Sequence, residues 1–180
     1  MGENQTDQTE IGFYVSPAPP ASALQTKSAF SIPFTLGTIP IPANNGDFEL
    51  TAQFPTTGTL TTNIVLYEMS PHMHLRGSRF KYEAVYPNGT REVLLSVPYY
   101  IFHWQALYRL TQPKYLPRGS RILCTAAWNN TAQNFELMEA YDSSGDPSYL
   151  PDHGVTFGEQ SWDEMFIGYL NYAEVPGPQP

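Results

Sequence analysis

Ser78-Arg-Phe-Lys-Tyr-Glu-Ala-Val-Tyr-Pro-Asn-Gly-Thr-Arg-Glu-Val-Leu-Leu-Ser-Val97 reads as two strands joined by a turn. Ser78–Tyr86 and Thr90–Val97 flank Asn88-Gly89, the dipeptide favoured where both central turn residues take positive φ. The stretch is therefore an antiparallel hairpin, and its neighbours follow the same pattern. On the N-terminal side, Phe48, Leu50, Ala52 and Phe54 alternate with polar residues within Asp47–Phe54, which marks a half-buried strand. Pro55-Thr56-Thr57-Gly58 is a turn, and Thr59–Met69 is the next strand.

Further out, Ile11–Val15 and a stretch around Ala29–Leu36 are strand candidates, each closed by proline-rich sequence that cannot continue a ladder. C-terminal to the hairpin come strands around Gln105–Leu110 and at Arg121–Trp128, separated by the Pro/Gly loop Lys114–Ser120. Asn129–Gly154 is a long polar excursion. Glu164–Tyr172 closes the series, its aromatic content favouring strand over helix. No segment holds a helical period over three turns. The expected fold is all-β, a jelly-roll-like antiparallel β-sandwich of about eight or nine strands. Residues 10–172 form one domain, 1–9 read as a linker remnant and 173–180 as a C-terminal tail.

Composition agrees. The 180 residues include 17 prolines and 13 glycines, and only 14% are charged, which fits short strands between many turns. A net charge of −8 leaves no basic patch to neutralise phosphates, so a nucleic-acid partner is not expected. No signal peptide is visible and no apolar run reaches bilayer length, so no membrane span is expected. Asn4, Asn88 and Asn129 begin Asn-x-Thr sequons, which matter only in a eukaryotic secretory setting. Cys124 is alone, so no intrachain disulfide can form, and its apolar setting reads as a small buried hydrophobe.

The chemistry concentrates at Ser70-Pro-His-Met-His-Leu-Arg-Gly77. On an extended backbone His72 and His74 share a face and Met73 turns the other way. Two imidazoles on one face can share a transition metal, given a third donor. His103, His153, Asp163, Glu164, Met69, Met73, Met138 and Met165 are candidates. A carboxylate would suit non-haem iron and a thioether would suit Cu(I); spacing does not choose between them. No Ser-His-Asp set, P-loop or pair of glycosidase carboxylates stands out.

Three stretches together resemble one family. Ser70-Pro-His-Met-His-Leu-Arg-Gly77, the Tyr82-Glu-Ala-Val-Tyr-Pro-Asn-Gly89 hairpin, and Gly158-Glu-Gln-Ser-Trp-Asp-Glu-Met-Phe-Ile-Gly-Tyr169 are similar to the C-terminal domain of the copper type II, ascorbate-dependent monooxygenases. The likeness is to the bacterial branch of the family that includes peptidylglycine α-hydroxylating monooxygenase and dopamine β-monooxygenase. It runs from about Thr9 to Tyr172. The resemblance implies a copper held by His72, His74 and Met165. Trp162, Asp163 and Glu164 precede Met165 and are expected to orient it or pack behind it. His153, on the long loop before the methionine motif, is a candidate to lie near the copper because such loops often carry site residues. The resemblance also implies O2 and ascorbate, or another reductant, as co-reactants, C–H hydroxylation as the reaction, and a periplasmic or secreted location. The partner would be an N-terminal electron-transfer copper domain, of whose histidine cluster this chain shows no trace.

The substrate is less defined. Ser70, Ile167 and Tyr169 occupy the positions that line the substrate in the family. Ser70 stands where the peptide-amidating members have an Arg that grips a carboxylate, and Ile167 where they have an Asn. Without that Arg a glycine-extended peptide is not expected, and the substrate is some other small or peptide-like molecule. Arg76 and Arg79 are expected at the surface, and His103 as a hydrogen-bonded structural residue. The alternatives are a copper module without turnover, for storage, delivery or sensing, and a β-sandwich interaction domain.

Overall fold

The hairpin forms, with a different turn from the one expected. In the computed structural model, which describes residues 6–15, 17–18, 24–33 and 39–177, its strands are Gly77–Val85 and Arg91–Val97. The Gly89 amide donates to the Tyr86 carbonyl at 2.9 Å, and the Tyr86 amide to the Thr90 carbonyl at 2.9 Å. Gly89 has φ 84°, but Asn88 is not among the described residues with positive φ. Pro87 locks its own φ near −65° and so sets an ordinary turn, after which Gly89 alone takes the left-handed position as a bulge.

Eight strands are described: β1 (Thr26–Ser31), β2 (Phe48–Phe54), β3 (Asn63–His72), β4 (Gly77–Val85), β5 (Arg91–Val97), β6 (Tyr108–Leu116), β7 (Arg121–Trp128) and β8 (Ile167–Val175). They form two four-stranded antiparallel sheets, ordered β1-β8-β3-β6 and β2-β7-β4-β5. The pairs β1–β8, β2–β7, β3–β6 and β4–β5 nest one inside the next, as in a jelly roll. Trp128, Tyr82, Phe80, Phe166, Met69 and Met73 are fully buried between the sheets. Each such side chain contributes roughly 1.5–3 kcal/mol by leaving water.

Several expectations shift. Ile11–Val15 joins no sheet and is exposed, because nothing among the described residues pairs with it. β1 ends at Ser31, and residues 34–36 of the strand expected there lie outside the described residues. β6 runs to Leu116 and so absorbs Lys114, Tyr115 and Leu116 from the expected loop; Pro113 also lies within it, which an edge strand tolerates. β8 runs to Val175, so residues 173–175 of the expected tail belong to the sheet.

The polar excursion contains a helix, α1 (Phe135–Ser144). The Asn134 carbonyl oxygen of the side chain accepts from the Leu137 amide, and Gly145 closes the helix with φ 66°. With only Leu137 buried, α1 has no apolar stripe for a periodicity reading to find.

One irregularity decides where the site faces. The register of β3 slips between Leu66 and Glu68: against β8 the pairs Leu66–Tyr172 and Glu68–Asn171 leave Tyr67 as an extra residue, and against β6 the pairing jumps from Lys114 to Arg109. Ile64 and Leu66 point into the core. Without the bulge, alternation would send Ser70 and His72 inward after them. With it, Met69 and Met73 are the buried residues, and Ser70 and His72 face outward.

Candidate metal centre

His72 ends β3, and His74 lies in the bend that leads to β4. Their rings stand 5.3 Å apart between centroids at 84°, and His74 also meets Phe102 edge-on at 5.8 Å. The two imidazoles do come together, with Met73 buried behind them.

Hydrogen bonds set both tautomers. His74 Nδ1 lies 3.2 Å from the Asp163 carbonyl, which can only accept. His72 Nδ1 lies 2.6 Å from Gln105 Oε1. Gln105 Nε2 donates to the Phe102 carbonyl at 3.0 Å, which orients the amide so that its oxygen faces His72. In the neutral tautomer that these acceptors select, Nδ1 carries the proton and Nε2 keeps a lone pair. Burial and the neighbouring His72 hold the His74 pKa below its usual value, against the upward pull of the Asp163 and Gln160 carbonyls. Neutral imidazole is the form that binds a metal.

Met165 arrives with β8. The β3–β8 register pairs His72 with Ile167. The ladder ends at that pair; extended by two residues it would set Met165 opposite His74. Phe166 is buried between Trp128 and Phe80, which leaves Met165 and Ile167 for the opposite side. Glu164 locks the two segments together. Its Oε2 accepts from the His74 amide at 2.9 Å, the Trp128 indole at 2.9 Å and the Met165 amide at 3.2 Å. Its Oε1 accepts from the Arg76 amide at 2.6 Å. Burial pushes this carboxyl up to about 7, while the donating amides and indole and the Arg76 charge pull it down.

Arg76 corrects an expectation: it is fully buried. Its guanidinium donates to Asn130 Oδ1 at 2.8 Å and to the carbonyls of Trp162, Ser148 and Leu150. It braces the loop that delivers Met165. Arg79 does lie at the surface, pairing with Asp47 and Glu49. His103 is exposed against the Phe102 ring and has no side-chain hydrogen bond among the described residues, contrary to the structural role expected of it.

The remaining candidates are positioned as follows. Among the described residues no three His, Cys, Asp or Glu side chains converge on a point. Both Glu164 oxygens are occupied, and Asp163 Oδ2 accepts from the Gln160 amide at 3.3 Å. Among the described residues no carboxylate is grouped with the two histidines as an iron-type two-histidine–carboxylate site would need. Met69 and Met73 are sealed in the core. His153 pairs through Nδ1 with its neighbour Asp152 at 2.9 Å, and its carbonyl accepts from Asn130. Ser70 gives its hydroxyl to the Ala106 carbonyl at 3.1 Å and faces Tyr169 across the ladder. Two imidazole lone pairs beside a methionine fit a soft monovalent copper better than a hard cation. Gln105 went unread in the sequence because nothing near it in the chain marks it as a partner of His72. Only the register of β3 against the chain before β6 brings it there.

No family model and no curated protein matches this chain. Among solved structures it is similar to a chain of infectious bursal disease virus Gt strain, at 10% identity over 91% of this chain and 42% of that one, with a TM-score of 0.29. A chain of the Gx strain gives 10% identity over 94% and 38%, with a TM-score of 0.25. The chain spans less than half the length of either. Likeness at that level says nothing of function.

Proposed function

We propose that this chain is a mononuclear copper domain, the O2- and substrate-binding half of a two-copper, ascorbate-dependent monooxygenase that hydroxylates a C–H bond. One observation carries the reading. The His72 and His74 rings lie 5.3 Å apart at the end of β3, each with an oxygen beside Nδ1, and the Met165 amide shares the Glu164 carboxylate with the His74 amide. Such acceptors behind a ligating imidazole set its direction and raise its basicity. His72, His74 and Met165 would hold the ion. Copper would supply one-electron redox chemistry and an open coordination position there.

The chain's own residues have separable tasks in this reading. Gln105 and the Asp163 carbonyl orient the rings. Glu164 and Arg76 hold the methionine loop against the histidine segment. Ser70, Ile167 and Tyr169 line the outer face beside His72. Electrons would come from ascorbate or another reductant through a second copper domain, and the location that goes with such a partner is periplasmic or secreted.

Copper loading under reducing conditions, followed by elemental analysis, tests the ligand set. About one copper per chain is expected, with loss of most of it in His72→Ala and in Met165→Ala. Unchanged stoichiometry in both variants would sink the assignment. Ascorbate-dependent O2 consumption with an electron-donor domain added then separates an enzyme from a copper carrier.

A further inference from the structure

A cleft of about 290 Å3 opens on the outer face of the β1-β8-β3-β6 sheet, lined by Phe30, Ile32, Phe157, Ile167 and Tyr169. All five side chains are hydrophobic or aromatic. Phe30 and Tyr169 meet edge-on at 6.5 Å and remain 52% and 43% exposed. The ladder gives the cleft its address. Phe30 pairs with Tyr169, and Tyr169 pairs with Ser70. One step along, Ile167 pairs with His72, and Ile32 follows the last β1–β8 pair, Ser31–Gly168. Ile167 and His72 thus sit side by side across the ladder, and Ile32, just past the end of β1, lines the cleft with Ile167.

The Ser70 hydroxyl is bonded to the Ala106 carbonyl, and among the described lining residues the Tyr169 hydroxyl is the one polar side-chain group and none is charged. A carboxylate or ammonium placed here would lose its hydration with a single phenol to replace it, whereas one phenol suffices for an alcohol. The volume is near the lower end for ligand pockets, ~300–1,000 Å3, and suits one phenyl-sized group with a short tail.

We propose that this cleft binds an uncharged small molecule through a phenyl or short alkyl group, holding it beside His72, and that this is the substrate class of the domain. The statement about substrate rests on the copper reading above; the statement about binding does not. Phe30 and Tyr169 form the mouth of the cleft, Ile32 and Phe157 its sides, and Ile167 the wall beside His72.

The test uses the metal-free full chain with its isoleucine methyl groups labelled for NMR, titrated with 3-phenyl-1-propanol. The Ile32 and Ile167 methyl signals are expected to shift saturably. The carboxylate of the same skeleton, 3-phenylpropionate, is expected to bind about tenfold more weakly or worse, because its charge must be desolvated. Phe30→Ala, at an exposed edge position, is expected to weaken the alcohol by about fivefold or more through lost apolar contact. Val93→Ala, equally exposed on the other sheet, should leave binding unchanged.

No saturable shift, equal affinity for alcohol and carboxylate, or an unaffected Phe30→Ala would overturn the proposal. So would methyl shifts that track protein concentration with a doubled mass in sedimentation, which would give the cleft to a second copy. On the copper-loaded chain, the alcohol is expected to change the Cu(II) electron-spin-resonance spectrum. An unchanged spectrum at saturation would overturn the placement beside His72. Failure to load copper would instead strike the copper reading and leave the methyl titration standing.

Discussion

At the scale of single residues, burial decides more than residue type does. Arg76 looks like a surface cation in the sequence, yet it is wholly enclosed, with five hydrogen bonds to oxygen acceptors when its backbone amide is included. Cys124 was legible, because an apolar strand around a lone cysteine leaves little else to expect. Its thiol is fully buried, and burial pushes it up to about 12 from an ordinary value of 9.0. Between those values the unfolded chain gives up its proton and the folded chain keeps it. The stability supplied by this group is therefore fully present below about pH 9 and falls as pH rises, by about 1.4 kcal/mol per pH unit. Urea unfolding of the native chain and of Cys124→Ala across pH 8–11 should show the difference between them narrowing above pH 9, since Tyr82 and Tyr100 titrate in both. At pH 8 the native thiol should resist iodoacetamide and react only once urea unfolds the chain.

At the scale of elements, strands that alternate were readable and the devices that aim them were not. The β4–β5 hairpin, β2 and β7 follow directly from alternation and turn residues. The bulge at Tyr67 leaves no mark in composition, yet it reverses which face of β3 is buried and turns His72 outward. α1 was missed for a related reason: its anchor is a cap instead of an apolar face. Asn134 accepts from the Leu137 amide at 3.2 Å and donates to the Leu75 and Asn129 carbonyls at 2.9 Å each. It therefore ties the helix start to the residue after His74. Asn134→Ala should cost about 2–3 kcal/mol, more than a cap alone at ~1 kcal/mol, because the buried Leu75 carbonyl and the part-buried Asn129 carbonyl also lose their donor. Asn134→Asp keeps the cap and loses the donors, so it should fall between. Denaturant midpoints at constant m-value would show the order, and equal losses in both variants would contradict it.

At the scale of the whole molecule, nesting joins segments that are far apart in the chain. Winding β3 between β6 and β8 brings the histidines, Gln105 and Met165 to one sheet end. The resemblance pointed to the two ends of this set, and the register supplied the middle. None of these donors is near another in an unfolded chain, apart from the histidine pair. A metal held by His72, His74 and Met165 would bind the folded state and add RT ln(1 + [L]/Kd) to its stability, about 2.7 kcal/mol at a free metal concentration of 100 Kd. For a domain of this size that corresponds to a rise in Tm of about 5–10 °C. The rise should appear on loading with Cu(I) and vanish on adding a copper chelator. His72→Ala should abolish it. Gln105→Ala leaves every ligand in place and frees only the Nδ1 of His72, so it should reduce the rise without removing it, by about 1.4 kcal/mol for each tenfold loss of affinity. A rise in Tm of equal size in the native chain, His72→Ala and Gln105→Ala would mean that the ion binds elsewhere on the fold.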